Sequence, residues 1–142
     1  MYYKIPFDLG AVMQGTALRE CDLAESIAQH IQILITTRSS ENRFDCEYGN
    51  VVWDLDFQKG LSDADWEDRF RHSVLGSLQM YEKRLSDIHV VIKSEMIEKT
   101  WPLKKYTEIK KKVTILITAQ MVDSSEKFSF KTELYISPMA IV

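Results

Sequence analysis

The apolar residues of this chain change their spacing between Tyr81 and Leu85, and that change limits what each half can fold into. Before it they recur every three or four residues in two segments. The first is Leu23, Ile27, Ile31 and Leu34, with Ala24, Ala28 and Ile35 beside them; the second is Trp66, Phe70, Val74, Leu78 and Tyr81. That period lines one face of a helix. After it they alternate: Ile88, Val90, Ile92; then Val113, Ile115, Ile117, Ala119, Met121; then Phe128, Phe130, Thr132, Leu134, Ile136. A period of two marks a strand with one buried face. Together the patterns predict an α+β fold, two main helices packed on a small, mainly antiparallel sheet of three or more strands.

Local chemistry marks the element ends. Asp22 with Glu25 three residues on resembles a capping box, so the first helix starts there and ends near Ile35. Ser62 caps the second helix, with Asp63 and Asp65 at the positive end of its dipole. Gly76 inside it either admits another backbone or costs about 1 kcal/mol against alanine, and close packing is the expectation. Asp123, Ser124, Ser125 and Glu126 form a hairpin loop between strands Val113–Val122 and Lys127–Ser137. Residues 95 to 109 are open among extended strands, a turn around Pro102 and a short helix. Residues 1–20 carry Tyr2, Tyr3, Ile5, Phe7, Leu9, Val12 and Met13 without a regular period, and read as an N-terminal arm lying along the core.

With 142 residues, 45% of them hydrophobic, the chain suits a single domain over 1–142 with one core. It contains no apolar run near the roughly twenty residues of a membrane span, and MYYKIPFDLG lacks the regions of a signal peptide, so a cytoplasmic protein is expected. Cys21 and Cys46 are expected to be free thiols buried in the core. The net charge of −3 argues against a nucleic-acid partner. Its distribution is uneven: Lys93 to Lys131 holds nine lysines against five acids, leaving −7 for the rest. The sheet end is basic and the helical end acidic, a split that can orient a subunit in an assembly.

Between the helices lies Thr36 to Phe57, TTRSSENRFDCEYGNVVWDLDF. A connection of about twenty residues without periodicity is longer than a compact domain normally tolerates, which favours a binding element. The plainer alternative is an ordered lid in which Phe44, Tyr48, Val51, Val52, Trp53 and Phe57 cap the core.

From Glu25, the run ESIAQHIQILITTRSSENRFDCEYGNVVWDLDF resembles the baseplate-wedge family of contractile injection machines, sometimes labelled lysozyme-like. It is most similar to the TssE type of type VI secretion in Bacteroidetes. Glu41, Arg43, Phe44, Asp45, Tyr48, Gly49, Trp53, Asp56 and Phe57 fit the family's G-E-x-R-[FY]-D-x-x-[FY]-G segment and following tryptophan motif. Ser40 replaces the usual glycine, so the turn there is built differently. Glu82 and Arg84 match the outer positions of the family's Glu-Pro-Arg pattern, with Lys83 in place of proline. The resemblance implies a structural subunit without cofactor, joining baseplate to sheath by binding TssF- and TssG-type wedge proteins and a sheath strand. Its implied partner-binding residues are Glu82, Arg84, Arg43, Asp45, Tyr48, Gly49 and Trp53. Glu82 and Arg84 have two readings: a docking pair offering a planar fork and a carboxylate, or a structural pair whose guanidinium bonds the last helical carbonyls.

Two other functions compete. A muramidase needs two carboxylates flanking one bond, roughly 5 to 9.5 Å apart. Glu41, Asp45, Glu47, Asp54 and Asp56 are candidates, but among 21 acids several on one loop carry little weight. A soluble anti-adaptor-like regulator of the same fold would have no need of the pattern from Arg43 to Phe57. His30, His72 and His89 lack metal-ligand spacing, and no phosphate loop or nucleophile motif occurs.

Overall fold

The computed structural model describes residues 2–37, 41–49, 62–101 and 106–136. Within them the elements are β1 (Tyr2–Tyr3), α1 (Leu9–Met13), β2 (Glu20–Cys21), α2 (Leu23–Thr36), α3 (Asp63–Tyr81), β3 (Leu85–Trp101), β4 (Tyr106–Met121) and β5 (Lys127–Ile136). Ser40, Val51, Val52, Trp53, Asp54, Asp56, Phe57, Pro102 and Ser137 lie outside the described residues.

The main sheet is antiparallel in the order β3-β4-β5 and carries α2 and α3 on one face. Both predicted stripes are buried: Ile27, Ile31, Leu34 and Ile35 from α2 meet Trp66, Phe70, Val74 and Leu78 from α3. Beneath them lie Val90 and Ile92, then Val113, Ile115, Ile117, Ala119 and Met121, then Phe128 and Ile136. The helix caps form as predicted, with Asp22 Oδ1 accepting from the Glu25 N–H at 2.8 Å and Ser62 Oγ from that of Asp65 at 3.2 Å. Where α2 ends, the Thr37 hydroxyl and N–H both donate to the Ile33 carbonyl, at 2.6 and 2.9 Å.

Residues 95–109 extend the strands. The ladder runs unbroken from His89↔Thr118 to Trp101↔Tyr106, through residues such as Thr100, Trp101, Tyr106, Thr107 and Ile109 that suit extended backbone. Because β5 pairs β4 only over Lys111–Gln120, β3 and β4 continue past it as a two-stranded ribbon. Glu67 of α3 anchors the ribbon's base, its Oε1 accepting from both the N–H and the hydroxyl of Ser94 at 2.7 Å. Lys111 Nζ sits 3.7 Å from the centre of the Trp66 ring.

Three expectations need correction. The N-terminal arm does not lie along the core. It closes on itself through β1 and β2, with Tyr2↔Cys21 and Tyr3↔Glu20 paired, and is tied to α2 by Gln29 Oε1, which accepts the Ile5 N–H at 2.7 Å. The helices already fill the sheet face, so Ile5, Phe7, Leu9, Val12 and Met13 stay exposed. Cys21 and Cys46 are not joined in a disulfide, yet Cys46 is exposed and Cys21 half-buried, because they belong to the arm and the loop rather than to the stripes. Gly76 makes no close approach either: a Cβ there would meet nothing within 4 Å.

Gly76 therefore carries only the cost of glycine in a helix. Replacing it by alanine is expected to raise stability by about 0.5 to 1 kcal/mol in chemical denaturation. A fall in stability would mean that Gly76 serves a contact.

Candidate functional site

Helix α3 stops at Tyr81, and Glu82 is its C-cap, donating its N–H to the Leu78 carbonyl at 2.9 Å. Two residues later β3 begins. This short reversal turns the Glu82 side chain inward, where it is 2% exposed, the buried charged residue among those described. Burial of a carboxylate is costly unless its oxygens are bonded. Here Oε1 accepts from the Arg84 Nε at 2.8 Å and the Arg84 backbone N–H at 3.1 Å; Oε2 accepts from Arg84 Nη2 at 2.9 Å and His30 Nδ1 at 2.7 Å. An ionised carboxylate only accepts, so His30 carries its proton on Nδ1.

Arg84 joins the carboxylate to the rest of the fold. Its Nη1 donates to Ser26 Oγ of α2 at 2.9 Å, and its guanidinium lies 5.6 Å from the centre of the Tyr2 ring in β1. Its carbonyl accepts from the Val122 N–H, extending the sheet ladder back to the junction. The guanidinium does not bond the last helical carbonyls, as the structural reading had it. Lys83 takes that position, with Nζ 3.0 Å from the Gln79 carbonyl, because Arg84 is turned inward by Glu82.

The loop of residues 41–49 docks on the same place. Tyr81 Oη donates to Asp45 Oδ2 at 2.8 Å, and Tyr48 packs edge-on against Tyr81 with ring centres 4.9 Å apart. On its other side Tyr48 stacks with His30 at 6.3 Å. Gly49 has φ +108°, a conformation open to glycine, and its carbonyl accepts from the Ser77 hydroxyl. Asn42 and Asp45 shape the turn by accepting N–H bonds from Phe44 and Glu47.

The structure thus gathers Glu82, Arg84, Asp45, Tyr48 and Gly49 from two distant stretches. Arg43 stands outside this network, its guanidinium 5.6 Å from the Phe44 ring centre. Phe44 is 92% exposed, so of the lid residues it does not cap the core, whereas Tyr48 does pack against it. Trp53 lies outside the described residues. Ser26, His30, Ser77 and Tyr81 belong to the site although their chemistry was not visible beforehand. His30 and Ser26 are four residues apart on α2, a spacing that shows they share a flank but not what they face.

Burial alone would push the Glu82 carboxyl up, but the bonds from Arg84 and His30, with the Arg84 charge, hold it down at about 2. Burial, then the charge of Glu82, raises Tyr48. Desolvation and the bond to Asp45 push Tyr81 up to about 12, so it remains a donor. Of the acids considered for hydrolysis, Glu41, Asp45 and Glu47 are exposed; Asp54 and Asp56 lie outside the described residues. Among the described residues no group of three or more histidines, cysteines and acids could hold a metal ion.

Two helices on a three-stranded antiparallel sheet, with a loop tied to the helix–strand junction, are the build of a baseplate-wedge domain. The chain belongs to the baseplate wedge protein gp25 family, whose model matches residues 21–125. A solved structure from Geobacter sulfurreducens, provisionally described as a tail lysozyme, resembles 87% of this chain and 100% of its own, with TM-score 0.61 and 16% identity. At that identity the likeness carries the fold. No curated protein matches the chain.

Glu82 is depressed from 4.5 to about 2 on folding, so it stabilises the fold above pH 4.5 and that contribution is lost as pH falls toward 2. Its full size is of order 3 kcal/mol. Glu82→Gln is expected to lower stability at neutral pH by about 3 to 5 kcal/mol and to flatten the acid limb between those two pH values. Denaturant titrations across pH measure both; an unchanged acid limb would remove Glu82 from this role.

Proposed function

We propose that this chain is a TssE-like structural subunit of a type VI secretion baseplate wedge, joining the baseplate to the contractile sheath from the cytoplasmic side. The observation that carries the reading is the docking of the R-F-D-x-x-Y-G loop onto the Glu82–Arg84 junction. Asp45, Tyr48 and Gly49 fasten the loop, while Arg43 and Phe44 face outward together. An exposed phenylalanine stacked with arginine is the residue pair that interface centres favour. Glu82 and Arg84 build the platform, and the docking surface for TssF- and TssG-type partners is the loop it carries together with the exposed part of Arg84.

The electrostatics remove Glu82 as the acid of a glycosidase. A glycosidase needs a carboxylic acid held above its usual range so that it can give up a proton near neutrality. The buried carboxylate here is held far below that range. The family membership points the same way, toward assembly.

The test separates docking from folding. Arg43→Ala and Phe44→Ala change exposed side chains, so each should leave Tm within about 2 °C while sharply reducing co-purification with the wedge partners. Full assembly of the double variant would defeat the proposal.

The sheath contact is assigned to the outer edge of β5, where backbone groups can pair with an incoming strand. Lys127 and Lys131 along it discourage pairing with other chains. Amide exchange of residues 127–136 should slow when sheath subunit is added. No added protection there would rule this edge out.

A further inference from the structure

On its inner side β3 pairs with β4, and no described strand pairs with its outer side. The ladder to β4 runs without a shift from His89 to Trp101, so this outer edge is long and regular. An edge of that kind is a template to which a further strand can add. Two features interrupt it. At one end the register slips between Ser86 and His89, where Asp87 has φ +52°. In the middle stands Glu67 of α3, whose Oε1 accepts from both the N–H and the hydroxyl of Ser94 at 2.7 Å. That N–H therefore points away from β4. With a period of two, so do those of Val90, Ile92, Met96 and Glu98.

The edge is complementary to itself. In a second β3 running antiparallel to the first about Ser94, Ser94 faces Ser94, Ile92 faces Met96 and Val90 faces Glu98. On the face away from the helices Lys93 then faces Glu95 twice, and Val91 faces Ile97. Both charged residues are exposed, and Lys112, across from Glu95 on β4, is taken by Glu133 at 3.5 Å. Sliding the partner by two residues either way sets Lys93 against Lys93 or Glu95 against Glu95. Opposite charges directly across a strand pair attract and like charges repel, so one register is selected.

We infer that Glu67 plugs the β3 edge, taking up the central N–H through which the chain would otherwise pair with a second copy of itself. In that pairing the Ser94 N–H donates to the partner's backbone carbonyl. Glu67 puts a charged oxygen in that place, which satisfies Ser94 and repels an approaching carbonyl. A carboxylate only accepts, so it offers the incoming strand no N–H in exchange. The match of Lys93 with Glu95 needs both parts of the edge at once, and Glu67 stands between them. This inference concerns the chain alone and does not rest on the assignment of the β5 edge.

The test compares Glu67→Gln, which keeps Oε1 as an acceptor, with Glu67→Ala, which removes it. Each full chain is sedimented over a concentration series well below its own Tm. The unmutated chain and Glu67→Gln are expected to sediment alike, and Glu67→Ala to dimerise at least about tenfold more tightly. Met96→Pro removes an outward N–H without touching the ladder to β4, and should return the alanine variant to the behaviour of the unmutated chain. Lys93→Glu should do the same, and adding Glu95→Lys should restore the dimer by rebuilding the charge pair. In the unmutated chain the Ser94 amide should be protected from exchange at least about tenfold more than that of Met96. This comparison needs no variant, and it decides the matter if Glu67→Ala does not fold. Equal protection at the two amides would overturn the inference. So would a folded Glu67→Ala that sediments as the unmutated chain does, or dimerisation of either that Met96→Pro leaves intact. A dimer of the unmutated chain that Met96→Pro abolishes, or slower exchange of residues 89–98 when sheath subunit is added to it, would show an open β3 edge and count equally against the plug.

Discussion

Glu82 is a carboxylate taken out of water at the point where a helix becomes a strand, and the arrangement of its neighbours follows from keeping it charged there. Four hydrogen bonds reach its two oxygens, three from Arg84 and one from His30. The bidentate fork from a residue only two positions away is possible because the chain reverses between them. Since Arg84 also holds Ser26 and stacks near Tyr2, and His30 stacks with Tyr48, the single charge fixes α2, the end of α3, the start of β3, the arm and the loop relative to one another. Removing Arg84 would strand that charge in the core.

A buried ion pair is a poor source of net stability, since apolar residues of similar volume often do as well or better. What it supplies here is direction. Hydrophobic burial is indifferent to small rotations of α2 over the sheet, but a guanidinium in register with both carboxylate oxygens and with Ser26 is not. Such rigidity holds the outward residues of the loop in one geometry. Tyr81 connects the two levels: its ring belongs to the core stripe of α3 and its hydroxyl holds Asp45.

Sequence showed the helices, their caps and the alternating strands because those follow from period and local chemistry, each decided within a few residues. It also showed Glu82 and Arg84 as a pattern. It could not show that Glu82 is inside, because its burial depends on Ser26 and His30, more than fifty positions earlier. Separations of 28 and 36 residues likewise hid the docking of the loop. The N-terminal arm misled for the opposite reason: its apolar content implied a core, but β1–β2 pairing and Gln29 tie it to α2 while its hydrophobic side chains stay outside. Residues 95–109 were ambiguous because short apolar and charged runs suit several states; the long hairpin register decides among them.

The charge asymmetry connects these observations. A net charge of −3 conceals a basic sheet and an acidic remainder, and the fold puts Lys93, Lys112 and Lys131 on the face away from the helices. The junction loop, the β5 edge and this open face point in three directions from one sheet. A baseplate wedge protein assembles with other baseplate proteins, and surfaces held at fixed angles around a rigid core suit that. The loop offers an aromatic and an arginine, and the edge offers backbone groups. The ion pair at Glu82 keeps the angle of the loop to the sheet constant, because Arg84 and His30 tie α2, the loop and the start of β3 to one carboxylate.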